Sequence, residues 1–273
     1  MPAAASHSGR VALVTGAGRG IGAATVRALA ATGWSVLAVD VAGDDETITY
    51  PLASKAELEA VVSEASDLAG HQGRIGSFIA DVRDVAALAD AVAAAESRWG
   101  GLDAAIGCAG VIAGGAPQWE IPLAEEKAVL DVDLGGVLNL ARVAVPALLR
   151  RPPPRSGRFL AVASAAAARG LPLLTAYCAA KAGVAGLIRA LAVELGPTGV
   201  TANAVSPGST DTPILAASAR LYDLGGPQDF AAQQPIGRLL DPAEIAAVLA
   251  FLAGPGTSGV TGAVIPVDGG LAL

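Results

Sequence analysis

Little in this chain is titratable, aromatic or sulfur-bearing. Among its 273 residues, charged side chains make up 16% and aromatics 4%, with two cysteines, two histidines and one methionine. Histidines at 7 and 71 only, with no Cys/His cluster, exclude the ligand spacing of a zinc site. Cys108 and Cys178 both sit in apolar segments, so they suit reduced thiols of a cytoplasmic protein better than a disulfide. Lysine is scarce too: three, against fifteen arginines. The net charge of −7 disfavours nucleic acid or an anionic membrane surface as a partner. Long apolar runs are missing too. The stretch 104–119 is broken by Gly and Pro, so no membrane-spanning helix is expected. The opening MPAAASHS has no apolar run of its own and reads as a loose tail over 1–9, ahead of a single unit over 10–273.

What remains is abundant and patterned. Hydrophobic residues reach 53%. β-rich runs at 10–15, 34–40, 74–81, 102–107, 157–164, 200–206 and 263–268 alternate with helical stretches at 21–32, 55–69, 84–98, 123–150, 175–196 and 242–253. Such alternation predicts an α/β fold, a doubly wound parallel sheet of Rossmann type with helices on both faces. Residues 41–54 read as an exposed loop. Arg150, Arg151, Arg155 and Arg158 ring a PPP run at 152–154, which reads as a solvated helix-to-strand loop.

The first chemical signal is TGAGRGIG over 15–22, between a strand and a helix. Gly16, Gly20 and Gly22 permit a tight turn, and Arg19 and Ile21 lie within it. The helix N-terminus then offers unpaired N–H groups and a positive dipole end to a pyrophosphate. Asp40 ends the second strand eighteen residues after Gly22, where a carboxylate can accept from a ribose diol and repel a 2′-phosphate. Val41 beside it supplies no cation. Arg19 pulls the other way, towards a phosphate. The balance favours NAD over NADP.

Tyr177 and Lys181 stand four residues apart in TAYCAAKAGVAGL, about one helical turn, and so share a helix face. A phenol with a free pKa near 10 is a poor base, and an adjacent ammonium favours its anion. The pair reads as a proton-transfer device for alcohol–ketone chemistry.

Together with Asp81-Val82, Ala109-Gly110, Ser164, Asn203, Pro207-Gly208, Thr212 and the closing Val267-Asp268-Gly269-Gly270, these motifs resemble the short-chain dehydrogenase/reductase family from about 10 to 270. The resemblance implies that Tyr177 takes the substrate hydroxyl proton as hydride leaves carbon for nicotinamide. It gives Lys181 the tasks of lowering the Tyr177 pKa and holding the nicotinamide ribose, and Ser164 that of fixing the substrate oxygen. It sets Asp81 and Val82 against the adenine, Ala109 and Gly110 along the cofactor, and Pro207, Gly208, Thr210 and Thr212 around the nicotinamide. Two positions depart from the family pattern: Cys108 and Asp133 stand where asparagines are usual. Aspartate at 133 is expected to keep a catalytic relay role with an altered pH profile.

Resemblance makes 212–238 a lid over the site. Its Ile214, Leu215, Leu221, Tyr222, Leu224 and Phe230, with Val111, Ile112 and Trp119, predict a hydrophobic secondary alcohol or ketone as substrate. The segments TYPLASKAELEAVV and GRFLAVASAAAARG look like an actinobacterial subgroup associated with the redox cofactor mycofactocin, whose members hold NAD firmly. Residues 41–73 would then fold over the adenosine end. A homotetramer built across the long helices is a further expectation from the resemblance. An isomerase or dehydratase on the same scaffold, or a non-catalytic dinucleotide-binding scaffold, are the competing classes.

Overall fold

Seven parallel strands form one sheet in the order β3-β2-β1-β4-β5-β6-β7 in the computed structural model, which describes residues 9–70 and 73–273. The expected tail therefore lies outside the described residues apart from Gly9, as do His7 and His71. The strands are β1 (Val11–Thr15), β2 (Ser35–Asp40), β3 (Ile75–Ile79), β4 (Ala104–Gly107), β5 (Arg158–Val162), β6 (Thr201–Pro207) and β7 (Val264–Val267). Helices α1 (Gly20–Ala31), α2 (Lys55–Ala69), α3 (Val85–Trp99), α4 (Leu123–Leu130), α5 (Gly136–Arg150), α6 (Thr175–Leu195), α7 (Pro213–Leu221) and α8 (Pro242–Ala253) complete the fold.

The central strands are apolar in both directions because both faces are covered. Val11 and Leu13 of β1 join one core with Leu88 of α3, Leu140 of α5 and Ile188 of α6. Their neighbours Ala12 and Val14 join the opposite core with Leu29 of α1, Leu58 of α2 and Leu249 of α8. A one-residue slip of β1 would exchange these two sets, so the register is pinned from both sides. Side-chain caps fix where several helices begin. Ser54 and Glu57 form a capping box at α2, Asp84 caps α3, and Asp241 with Glu244 boxes α8.

The helix expected over 123–150 is interrupted. A π turn, Asp131–Gly135, separates α4 from α5. α5 then packs tightly on the β3–α3 connection, where a Cβ at Gly136 would stand 2.5 Å from Val82 Cγ2. Two helices pass a test of length and hydropathy that the broken run 104–119 does not. Leu123–Arg150 and Thr175–Thr198 are long and apolar enough to cross a bilayer, with mean hydropathies of 1.5 and 1.4. In this fold they cover the sheet, with Leu140, Ala144, Leu148, Val184 and Ile188 inside the core.

The arginine-rich loop is occupied with structural work. Arg150 pairs with Glu96 at 2.7 Å and Arg151 with Asp103 at 2.5 Å. Arg158 is not solvated at all: it is fully buried at the start of β5, donating to the carbonyls of Gly254 and Pro255.

Candidate active site

The strand order reverses between β1 and β4, and the crevice beyond their carboxyl ends is where such sheets bind ligands. A cavity of about 610 Å³ lies there. It is lined by the candidate catalytic and cofactor-binding residues: the glycine turn, Asp40, Val41, Asp81, Val82, Ala109, Gly110, Asp133, Ser164, Tyr177, Lys181, Pro207, Gly208, Thr210 and Thr212.

At one end the backbone forms a cradle. Gly16 and Gly20 adopt φ of +65° and +56°, which only glycine takes without strain. A Cβ at Gly16 would stand 2.5 Å from Ala109 N, and one at Gly22 would collide with the Gly16 carbonyl. α1 starts without a side-chain cap, so its first N–H groups are open to an anion. Asp40 is 8% exposed and accepts from Gly18 N at 2.8 Å and Ala42 N at 3.2 Å, which holds its carboxylate against the turn. These residues fit the pyrophosphate and ribose of a dinucleotide.

The exposed-loop reading of 41–54 is corrected at this end. Residues 41–54 are a strap, not a free loop. Ile48 and Tyr50 are buried at 7% and 5%, and the Tyr50 hydroxyl accepts from Ile112 N at 3.0 Å. The Arg19 guanidinium lies 6.0 Å from the Tyr50 ring centroid. Ala53 closes over the glycine turn: a Cβ at Gly18 would stand 2.7 Å from its side chain. Arg83 then bridges Asp45 at 2.8 Å and Asp81 at 2.6 Å, tying the strap to the β3–α3 connection. That bridge engages the Asp81 carboxylate expected at the adenine and holds it below the usual carboxylate range against burial, while the Thr47 N–H and then Arg83 do the same for Asp45. The signal in the sequence is the pair of large apolar residues at 48 and 50 that follows the acidic run 44–46.

The chemistry sits at the other end. β5 delivers Ser164, which caps a 3₁₀ turn by accepting from Ala166 N at 3.1 Å. α6 presents Tyr177 and Lys181 one turn apart, with Lys181 Nζ 5.4 Å from the Tyr177 ring centroid. Lys181 is 4% exposed; its Nζ donates to Val162 O at 3.3 Å and stands 3.1 Å from Asp133 Oδ2. The π turn aims Asp133 inward, fully buried, where its other oxygen accepts from Val111 N at 2.8 Å.

Burial pushes the Asp133 carboxyl above its ordinary range, against the pull of Lys181 and the Val111 N–H. For Lys181, burial disfavours the charge, yet Asp133 and Tyr177 outweigh it and hold the ammonium. Tyr177 departs from expectation. Burial drives its pKa up, Lys181 and the Ser164 hydroxyl draw it down, Asp133 raises it again, and the net direction is upward. Asp133 neutralises much of the charge that a lone lysine would direct at the phenol.

Other positions shift in role. Thr212 caps α7, accepting from Leu215 N at 3.3 Å while its hydroxyl donates to Thr210 O. Cys108 is half-buried; loss of water around the thiol pushes it up to about 12, and it is free, as is Cys178. Asn203 braces β6 to the segment before β7, donating to Val260 O and accepting from Ala263 N. The apolar wall contains Val111, Ile112, Ile214, Leu215, Tyr222, Leu224 and Phe230, but not Leu221 or Trp119, and Trp119 is 84% exposed. No group of His, Cys, Asp and Glu among the described residues could hold a metal.

A reversing parallel sheet, a glycine cradle beneath an uncapped helix and a Ser–Tyr–Lys set in one cavity define a dinucleotide-dependent oxidoreductase. The family profile described as Enoyl-(Acyl carrier protein) reductase matches residues 16–272. The chain belongs to the short-chain dehydrogenase/reductase family and is an enzyme of the alcohol dehydrogenase and ketoreductase type. It is 40% identical to cis-4-hydroxycyclohexanecarboxylate dehydrogenase of Sinomonas cyclohexanicum over 96% of both chains. Carveol dehydrogenase of Mycobacterium avium, solved with NAD, superposes with a TM-score of 0.91 at 33% identity, covering 98% of this chain and 99% of that one. Actinorhodin polyketide ketoreductase, solved with NADPH, superposes at 0.85 with 32% identity, covering 98% and 99%.

Proposed function

We propose that this chain is an NAD-dependent dehydrogenase that interconverts a hydrophobic secondary alcohol and its ketone. The observation that carries the reading is the convergence of Ser164, Tyr177, Lys181 and Asp133 at the end of a cavity whose other end is the glycine cradle with Asp40. A bound nicotinamide supplies the acceptor for the hydride that leaves the carbinol carbon. Ser164 holds the substrate oxygen, Tyr177 removes its proton, and Lys181 holds positive charge beside the phenol with Asp133 as its counter-ion. Val111, Ile112, Ile214 and Tyr222 give the carbon skeleton an apolar seat.

Support for NAD over NADP comes from Asp40, whose nearly buried carboxylate stands where a 2′-phosphate would have to fit, while Arg19 faces Tyr50. The strap supports a further step in the proposal: NAD is held tightly and does not exchange freely, and mycofactocin takes the electrons onward. We place the enzyme in the cytoplasm, in keeping with its two free thiols, as a homotetramer assembled through its long helices.

Two measurements test this. Denaturing the purified protein should release NAD at close to one per chain, and apolar cyclic alcohols should be oxidised with an artificial electron acceptor faster than with added NAD. Tyr177→Phe should lose about 100- to 10,000-fold in turnover while still carrying NAD. Loss of NAD together with activity would point to a structural role for Tyr177, and retained activity would remove it from the mechanism.

A further inference from the structure

The strap that crosses the glycine cradle also reaches the groups proposed to move the proton. Its Ile48 and Tyr50 join the apolar cluster that seats the start of α6, together with Val129 of α4 and Ala176 and Ala180 of α6, and Tyr177 packs against that cluster. A phenol hydroxyl buried there must find a partner. Tyr50 finds it in Ile112 N, 3.0 Å away. The neighbouring amide, Val111 N, donates to Asp133 Oδ1 at 2.8 Å. Asp133 Oδ2 in turn stands 3.1 Å from Lys181 Nζ, and that nitrogen lies 5.4 Å from the Tyr177 ring centroid.

Two successive amides after β4 thus divide the work. One holds the phenol of the strap and the other holds the counter-ion of Lys181. The two N–H groups flank a single Cα, that of Val111, and each belongs to a rigid peptide plane, so turning one plane re-aims the other. The backbone just before them presses on the ion pair itself. A Cβ at Gly110 would stand 3.3 Å from Asp133 Oδ2 and 3.5 Å from Lys181 Nζ. A shift of the 110–112 backbone therefore reaches Asp133 and Lys181 directly.

We infer that Tyr50 is a positioning residue for the proton transfer: its hydroxyl fixes the 110–112 backbone, which fixes Asp133 on Lys181, so the reacting groups are aligned only while the strap is seated. The inference rests on the dehydrogenase reading and adds to it a residue that does not line the cavity. An open strap, as cofactor exchange requires, is then a misaligned site. Tyr50→Phe isolates the effect, since it keeps the ring in the cluster and removes only the oxygen. Ile112 N loses its acceptor, and Val111 N holds Asp133 less firmly. Burial raises the Asp133 pKa and, after Lys181, the Val111 N–H opposes it, so a weaker bond leaves less negative charge facing Tyr177. The phenol of Tyr177 should then ionise at lower pH. Its other neighbours, Lys181 and Cys178 of α6 and the Ser164 hydroxyl, are unaltered, as are Cys108 facing Lys181 and Arg19 facing the ring at position 50.

Ultraviolet titration of tyrosinate in the protein saturated with NAD reads this without turnover, and the step that vanishes in Tyr177→Phe is the one to follow. In Tyr50→Phe that step should move down by about half a pH unit, the worth of part of one hydrogen bond. In the double variant Tyr50→Phe with Asp133→Asn it should lie no lower than in Asp133→Asn alone, because both changes act through one carboxylate. A step that Tyr50→Phe leaves in place, or two shifts that simply add, overturns the inference. The pH–rate profile of alcohol oxidation is recorded on the same proteins. A coupled phenol shift in a protein that oxidises no alcohol upholds the alignment and sinks the dehydrogenase reading. Alcohol oxidation with a phenol step indifferent to Tyr50 does the reverse.

Discussion

Asp133 decides how Tyr177, the proposed acid–base, behaves. With an uncharged amide at that place, Lys181 would direct its whole field at the phenol. With a carboxylate 3.1 Å from its ammonium, much of that field is spent within the ion pair. The sign of the consequence follows. Asp133→Asn removes a group that raises the Tyr177 pKa, so the phenol should ionise at lower pH and the acid limb of alcohol oxidation should move down in pH. Lys181 loses the partner that chiefly holds its proton, so its own pKa should fall too. A pH–rate profile of the variant checks this, and an unchanged acid limb would count against a relay role for Asp133. Replacement by Ala should instead cost about 3–5 kcal/mol of stability, because it strands a buried ammonium.

Among elements, the strap over 41–54 matters most for the cofactor. Two anchors hold it from outside: Tyr50 to Ile112 N, and Asp45 to Arg83. Arg83→Met should release the second and speed loss of bound NAD by about tenfold; stopped-flow displacement would measure it. No change in the release rate would show that the bridge does not hold the strap down. The same bridge gives a pH dependence. Arg83 depresses the pKa of Asp81 and, after the Thr47 N–H, that of Asp45, so their contribution is present above the ordinary carboxylate range and is lost as pH falls through the lowered values. The strap should therefore loosen in acid before the core does.

The strap also shows where sequence stops being legible. Ser164, Tyr177, Lys181 and the glycine turn, which meet in one cavity, are legible because each position follows from a local pattern: a strand end, a one-turn spacing, a strand–turn–helix junction. Tyr50 makes its bond 62 residues away, and no local pattern announces such a partner. Arg158 misleads for the same reason, since its carbonyl acceptors lie 96 and 97 residues along the chain. Asp133 was visible as an unusual residue, but its ion pair depends on a π turn that a helical periodicity of 3.6 hides. The net rise at Tyr177 needed burial, which spacing alone does not give.

At the scale of the whole molecule, the outward faces of its helices carry apolar side chains that the single chain leaves uncovered. Leu138 on α5, Val193 on α6 and Phe251 on α8 are 43%, 80% and 67% exposed. On the proposed assembly through the long helices, Val193→Glu should shift the species measured by light scattering from a tetramer to a smaller form. An unchanged mass would place the contact elsewhere or leave the chain alone in solution.

The π turn at Asp131–Gly135 has a consequence for heredity. A π turn is in effect a helix with one surplus residue, and here the surplus keeps a carboxylate facing the lysine. Substitutions around it alter side chains but preserve that count. Loss of a single codon between 131 and 135 would let the ladder close into an ordinary helix, rotating residue 133 away by about 100°. For this enzyme a one-residue deletion there is a heavier lesion than most replacements, and insertion–deletion drift in that stretch is what selection would resist.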